Sequence, residues 1–154
     1  MQVKNFVVYR SGAGSGKTFT LVKEYLKLAL HDESKLSYNF KRILAVTFTN
    51  KAASEMKSRV LAALEEISHS ATQPQLGVLI CNELKIDEEE LRRRSEVVLK
   101  NILHHYSDLA IGTIDSFTHR IVKTFAHDLD IPVNFNVEMD IKGFYEKVIA
   151  LLFN

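Results

Sequence analysis

The segment that most constrains the fold of this chain is the run from Phe6 to Thr18, which reads FVVYRSGAGSGKT. An apolar stretch enters a glycine-rich turn, and the turn ends in Lys-Thr where a helical pattern starts. Gly12, Gly14 and Gly16 permit positive φ and let the backbone wrap a polyphosphate without clashes from Cβ atoms. Successive N–H groups at the start of a helix attract anions. The segment therefore predicts a strand, a phosphate-binding P-loop and a helix.

The last two residues of this P-loop carry its chemistry. Lys17 is expected to reach the β- and γ-phosphates of a nucleotide, and the Thr18 hydroxyl to hold Mg²⁺, which makes them the candidate catalytic residues and Thr18 the candidate metal ligand. The strict pattern has glycine where this chain has Ser11, a residue small enough for that corner. The alternative is a flexible loop that caps a helix and exposes a lysine. The candidate nucleotide-binding residues are Ser11, Gly12, Ala13, Gly14, Ser15, Gly16, Lys17 and Thr18.

Composition narrows the class of protein without identifying a ligand. The 154 residues suit one domain or a piece of a larger one, and 46% apolar with 25% charged residues is ordinary for a soluble chain. A formal net charge of +1 is no electrostatic signature of a nucleic-acid binder, so that interpretation depends on local motifs. The single Cys81 excludes an internal disulfide and fits a reducing compartment. Because the sequence has no signal-peptide pattern and no apolar run of bilayer length, we expect a cytoplasmic protein with no membrane partner.

Strand patterns alternate with helix patterns along the chain, which predicts an α/β fold with a parallel sheet. Short apolar runs at 43–47 and 109–113 are typical of strands buried on both faces of such a sheet, and the strand before the P-loop makes three. Because three strands are few and the last helix has no stop signal at residue 154, we expect an incomplete sheet in the N-terminal part of something longer. Helices are predicted at about 18–30, from about 51, twice within 70–106, at about 114–129 and from Asp140 onward.

The second helix within 70–106 has a complete N-terminal signature. Asp87 and Glu90 form a capping box, and Ile86 and Leu91 occupy the staple positions. Arginines 92, 93 and 94 are expected on a solvated face. These extra helices are interpreted as an insertion after the second strand.

Two loops follow the second and third strands and are expected at the same sheet edge as the P-loop. One reads TFTNKAA over 47–53 and the other GTIDSF over 112–117. Each places an aromatic ring beside small hydroxyl or amide groups, a combination that stacks a base of a single strand and donates to its phosphates. The alternative for Phe48 and Phe117 is a position in the core, and His119 is expected to be structural or exposed.

The three motifs, in this order and on matching elements, resemble motifs I, Ia and Ib/Ic of superfamily 1 DNA helicases of the UvrD/RecB group. The sequence TFTNKAA followed by Ser-Glu-Met is the most specific part, and the resemblance covers about residues 6–130. It implies a P-loop NTPase of the RecA-like class, with ATP and Mg²⁺ bound by Gly12 to Thr18. It also implies a single-stranded DNA track lined by Phe48, Thr49, Asn50, Thr113, Ser116 and Phe117.

The resemblance extends to domain organisation and biological role. It implies that 1–132 is the N-terminal part of motor domain 1A, with the helical insertion at about 70–106, and that 133–154 starts a helical 1B-like subdomain. The long helical spacer and the segment VNFNV at 133–137 resemble the RecB and AddA nuclease-helicases more than UvrD. The implied protein is an ATP-dependent helicase or translocase acting on single-stranded DNA and duplex DNA ends in repair or recombination. A partner subunit of a nuclease-helicase complex is a further expectation.

Three features depart from the family pattern. Asp115 stands where the family usually has histidine, and we assign it no DNA contact because a carboxylate does not favour phosphate. The only candidate for an adenine-reading glutamine is Gln2. No Asp-Glu pair follows an apolar strand, so the motif that positions Mg²⁺ and the attacking water is absent. We therefore expect this chain alone to bind nucleotide without turning it over.

Two functions from other classes stay open at this point. A small P-loop nucleotide kinase would need an arginine-rich lid, for which arginines 92–94 are the candidate. A non-catalytic P-loop module would serve protein contacts only, although the intact Gly-Lys-Thr argues against a degenerate site. Binding of a fluorescent ATP analogue separates these alternatives.

Overall fold

The computed structural model describes residues 6–10, 16–126, 128, 132 and 141–152. Contacts divide the chain into two compact units, Met1–Ile114 and Asp115–Asn154. The first unit contains helices α1 (Lys17–Leu30), α2 (Asn50–His69), α3 (Gln75–Leu84) and α4 (Glu88–His104), strands β1 (Ala45–Thr47) and β2 (Ile111–Thr113), and 3₁₀ turns at Glu33–Lys35, Asn39–Arg42 and Tyr106–Asp108. Helix α5 (Ile114–Thr124) leads into the second unit, which also contains α6 (Ile141–Leu152).

The strands β1 and β2 are parallel neighbours. Their register pairs Ala45 with Ile111 and Thr47 with Thr113, and α2 packs against both strands. Because parallel strands have their carboxyl ends at one edge, the loops after β1 and β2 start side by side, as the sequence predicted. The predicted α/β class is confirmed, with a sheet of two strands in the described residues.

The structure differs from the prediction at the first strand. Residues Phe6–Arg10 have no regular secondary structure, and the Phe6 side chain is 84% exposed. Val7, Val8 and Tyr9 are exposed as well. A continuous apolar run is stable as a strand of a parallel sheet only when neighbouring elements cover both of its faces. Nothing covers this run in the described structure, so its apolar pattern does not produce a strand there.

The inserted helices share one hydrophobic core with the helix that follows the P-loop. The core includes side chains from α1, α2, α3, α4 and the turn at Asn39–Arg42, and burying each large one contributes about 1.5–3 kcal/mol. The insertion is therefore an integral part of the first unit. The largest fully buried side chains are Phe40, Leu26, Leu30, Leu64, Ile67, Ile80, Leu91, Ile102, Val60 and Val98.

The start of α4 confirms the predicted cap. The Asp87 carboxylate accepts from the Glu90 N–H at 2.7 Å, and Leu91 is fully buried. The Glu90 side chain does not complete the box, because it accepts hydrogen bonds from Arg93 and Arg94 instead. These two ion pairs lower the pKa of Glu90 to about 2, with the hydrogen bond from Arg93 as the larger cause.

The prediction that arginines 92–94 form a solvated face is wrong for two of them. Arg94 is only 8% exposed, and its guanidinium donates to the carbonyl oxygens of Leu30 at 2.9 Å and His31 at 3.2 Å. Arg92 is half-buried and donates to the carbonyl oxygens of residues 70 and 71 at the end of α2. Both bind carbonyls at helix ends, which lack intrahelical partners and carry partial negative charge.

No helix within the described ranges is both long enough and apolar enough to cross a membrane.

Candidate functional site

The start of α1 has the geometry of an anion-binding helix terminus. Gly16 precedes the helix with φ 79°, a left-handed conformation that favours glycine, and its carbonyl accepts from the Thr20 N–H at 2.9 Å. Gly16 supplies no side-chain cap, and the first turn contains no acidic residue. Lys17 is exposed and Thr18 half-exposed at this terminus. A cation, a hydroxyl and free helical N–H groups thus lie together, which suits a polyphosphate.

Part of the predicted nucleotide site lies outside the described residues. These predicted positions are Ser11, Gly12, Ala13, Gly14 and Ser15, together with Gln2. Their assignment to nucleotide binding therefore stays a prediction.

A charged cluster surrounds the helix that follows the P-loop. Glu24 of α1 accepts from the Tyr9 hydroxyl at 3.0 Å and pairs with Lys27 at 2.6 Å. Lys27 also reaches Glu83 of α3 at 2.8 Å, and Lys23 binds the same carboxylate. Partial burial would raise the pKa of Glu24, but hydrogen bonds from Lys27, Tyr9 and Lys23 outweigh it and lower that pKa. Sequence reasoning missed this cluster, because no local pattern links Glu83 to α1.

The loop after β1 presents the second motif to solvent. Phe48 is 90% exposed, which rules out the core position that was its alternative in the described structure. Thr49 is the N-cap of α2, and its Oγ1 accepts from the Ala52 N–H at 3.1 Å. Asn50 opens the helix and is exposed. The loop therefore offers a ring, a hydroxyl with a proton left to donate and an amide on one surface.

Thr47 fixes the shape of this loop, a role the sequence did not indicate. Its hydroxyl shares one proton between the carbonyl oxygens of Thr49 at 3.0 Å and Gly112 at 3.4 Å. The first bond closes the turn after β1, and the second joins that turn to β2. A threonine at the last position of a strand, two residues before an N-cap threonine, was the signal present in the sequence.

The residues predicted after β2 differ in their exposure. Thr113 is 7% exposed and lies opposite Thr47 in the register. Ser116 is exposed and Phe117 is half-buried on α5. His119 is exposed, in agreement with its predicted status, and Asp115 is exposed in the first turn of α5. The exposed residues of the predicted DNA track are thus Phe48, Thr49, Asn50 and Ser116.

No cluster of three or more His, Cys, Asp or Glu side chains suited to a metal ion occurs in the described part of the chain. The predicted metal ligand is the hydroxyl of Thr18.

A family model described as the UvrD/REP helicase N-terminal domain matches residues 2–152. The chain belongs to this family. The resemblance carried by the three motifs is thereby confirmed.

Curated relatives of this UvrD/REP chain share one name, that of the A subunit of an ATP-dependent helicase/nuclease. The protein of that name from Clostridium kluyveri is 32% identical over 142 residues, which is 92% of this chain and 10% of the relative. Those from Streptococcus suis and Bacillus cytotoxicus are each 31% identical, over 87% and 85% of this chain and 9% of each relative. The chain thus spans about a tenth of the length of these relatives. No solved structure matches it.

Proposed function

We propose that this chain is the N-terminal, ATP-binding part of the first motor domain of an ATP-dependent DNA helicase or translocase of the AddA-like kind. The observation that carries the proposal is Phe48, an almost fully exposed aromatic ring at the carboxyl edge of β1. A protein rarely places such a ring on its surface beside a helix N-terminus unless the ring contacts a ligand. Family membership makes a single strand of DNA the ligand of choice.

The proposed domain organisation follows the sequence pattern. Residues 1–132 form the N-terminal part of a RecA-like domain 1A, with α3 and α4 as the insertion at about 70–106, and 133–154 start a helical 1B-like subdomain. The parallel register of β1 and β2 supports the RecA-like class, in which ligand loops follow the carboxyl ends of parallel strands.

On the nucleotide side, the loop Ser11–Gly16 wraps the phosphates of ATP, and the N-terminus of α1 adds its N–H groups and dipole. Lys17 neutralises charge on the β- and γ-phosphates as it develops. Thr18 supplies a hydroxyl ligand to Mg²⁺, which when bound bridges the phosphate oxygens. Phosphoryl transfer also needs an acidic pair and cations from a second motor domain. We therefore infer that this chain binds nucleotide and that turnover requires the rest of the protein.

On the DNA side, the ring of Phe48 stacks on a base, which contributes about 1–3 kcal/mol and is indifferent to sequence. The Thr49 hydroxyl accepts from Ala52 and donates its own proton to a phosphate oxygen, and the Asn50 amide donates beside it. Thr113, Ser116 and Phe117 complete the track as proposed from the family motif. The absence of net positive charge, +1 overall, is compatible with stacking and neutral donors as the main contacts.

In the complete protein, ATP draws two RecA-like domains together and hydrolysis releases them, so that the DNA-facing loops step along one strand. The name of the relatives describes one component of a helicase/nuclease, which supports a complex with a partner subunit. The substrates of that complex would be duplex DNA ends in repair or recombination. We place this activity in the cytoplasm.

The structure removes support from one alternative function. A nucleotide kinase would need arginines free to close over its substrate, but arginines 92–94 bind carbonyls and glutamates of this chain. A non-catalytic P-loop module is separated by a direct measurement, because it would not bind a fluorescent ATP analogue.

The decisive experiment measures ATP turnover by the full-length protein with and without single-stranded DNA, beside Lys17→Ala and Phe48→Ala. A DNA-driven motor loses turnover with the first variant and DNA stimulation with the second. Turnover that is indifferent to DNA would leave a P-loop NTPase and contradict the proposed DNA track. Multiple turnover by the 154-residue chain alone, abolished by Lys17→Ala, would contradict the inference that the chain is incomplete as an enzyme.

A further inference from the structure

One hydrogen bond joins the segments on either side of the P-loop. The Tyr9 hydroxyl, before the loop, donates to Glu24 Oε1 on α1, after the loop, at 3.0 Å. Glu24 lies in the second turn of α1, so the bond closes a ring that contains the whole loop and the first helical turn. This contact holds the entry of the loop beside its exit.

The acceptor of this bond is itself held from two sides. Lys27 contacts the second carboxylate oxygen of Glu24 at 2.6 Å, and Lys23 contacts the first at 3.3 Å. Both lysines also bind Glu83 of α3, with Lys27 at 2.8 Å. These side chains are only partly exposed, between 17% and 34%, which limits screening by solvent. Two lysines and two glutamates therefore balance their charges and connect the inserted helix α3 to α1.

We propose that Glu24 is the positioning residue of the P-loop, with Tyr9 as its hydrogen-bond donor and Glu83 as its anchor on the insertion. This inference rests on the proposed function, since it assumes that the loop binds nucleotide. Glu24 acts through the backbone on both sides of the loop and needs no contact with the nucleotide. Fixing both ends of a glycine-rich loop reduces the conformations that nucleotide binding must otherwise exclude, and that preorganisation raises affinity.

The proposal gives the inserted helices a role at the nucleotide site. Glu83 is the only α3 carboxylate in the cluster among the described residues, so a change in α3 reaches the loop through Lys23 and Lys27. Since relief of the loop acts on nucleotide binding in the ground state, the constants that move are Kd and KM, with kcat nearly unchanged.

The test uses the full-length protein and a fluorescent ADP analogue as the probe. Tyr9→Phe, Glu24→Ala and Glu83→Gln are each expected to raise the Kd of the probe roughly three- to ten-fold, the effect of one hydrogen bond or ion pair. KM for ATP rises in parallel while kcat stays within about two-fold. The double variant Tyr9→Phe/Glu24→Ala binds no more weakly than the weaker single variant, because both remove the same bond.

Glu55→Gln is the matched control, since it breaks a surface ion pair with Arg59 at 2.8 Å that lies within α2 alone, and its Kd stays at the wild-type value. Lys17→Ala separates the two hypotheses. If Lys17→Ala weakens the probe and the three cluster variants bind it like wild type, the positioning role is overturned while the proposed function stands. The same holds if the cluster variants only lower the melting temperature. If Lys17→Ala binds the probe like wild type, the P-loop assignment fails and the positioning role fails with it.

Discussion

Replacing Phe48 by alanine separates the stability of the chain from its binding of DNA. The ring is 90% exposed, so about a tenth of a side-chain surface of roughly 200 Å² is buried. At about 25 cal/mol per Å² that burial contributes only about 0.5 kcal/mol to folding. The same truncation at the fully buried Phe40 would cost about 3–5 kcal/mol. Phe48→Ala should therefore fold as the wild type does.

The expected loss appears in affinity for single-stranded DNA. One stacked base contributes about 1–3 kcal/mol, which corresponds to a Kd that rises roughly five- to 150-fold. Fluorescence anisotropy with a labelled oligothymidine and the full-length protein measures this change. Because the substitution removes no charge, the slope of log Kd against log salt concentration should stay the same.

Tyr38→Ala provides the control for the loss of an exposed aromatic ring. Tyr38 is 43% exposed and lies outside the three motifs, so its removal should leave DNA affinity unchanged. Equal affinities of Phe48→Ala and the wild type for the oligonucleotide would refute the stacking role. A large loss of stability in Phe48→Ala would refute the burial reasoning itself.

Three further predictions concern the stability of the first unit, measured by urea denaturation. Gly16→Ala should lower the free energy of unfolding by about 1–2 kcal/mol through strain at φ 79°, since the space around its Cβ is open; a cost equal to that of Gly16→Asn, which tolerates this conformation, would contradict the strain argument. Arg94→Ala should cost about 1–3 kcal/mol because it leaves the carbonyls of Leu30 and His31 without their donor, and an effect no larger than that of an exposed arginine would exclude this cap. The lowered pKa of Glu90 means that its ion pairs stabilise the fold above about pH 4.5 and that this stabilisation is lost as the pH falls towards 2. The stability difference between wild type and Glu90→Gln should shrink over that range, and a difference independent of pH would show that the carboxylate is not the source.

The elements that the sequence predicted well are those whose signals are local. Amphipathic periodicity located α2 and α4, and the polar residues at 87 and 49 start their helices as N-caps. The parallel pairing of β1 and β2 also followed from pattern, because two apolar runs separated by helices can pair only in parallel when each returns by a crossover. The three motifs were sufficient to indicate the family, because each combines a local turn chemistry with a fixed place after a strand.

The wrong predictions concern features that depend on neighbours. The run at residues 6–10 is as apolar as a buried strand, but no element covers it in the described structure. Arg94 was assigned to a solvated face because three arginines in a row resemble a polar surface, and its partners are carbonyls more than 60 residues away. Local pattern carries no information about such partners. Exposure of Phe48 was likewise undecided in the sequence, since an aromatic residue after a strand is common in cores.

The contacts of the inserted helices change how the nucleotide site is understood. The sequence describes α3 and α4 as an addition to a motor domain, yet Arg94 caps the last turn of α1 and Glu83 binds lysines in its middle. Residues of both helices are fully buried with those of α1. The helix that carries Lys17 is thus stabilised along its length by the insertion, and its N-terminus can keep a strained glycine and uncapped N–H groups. Stability supplied by distant residues is what allows the anion-binding end of a helix to stay unsatisfied by its own side chains.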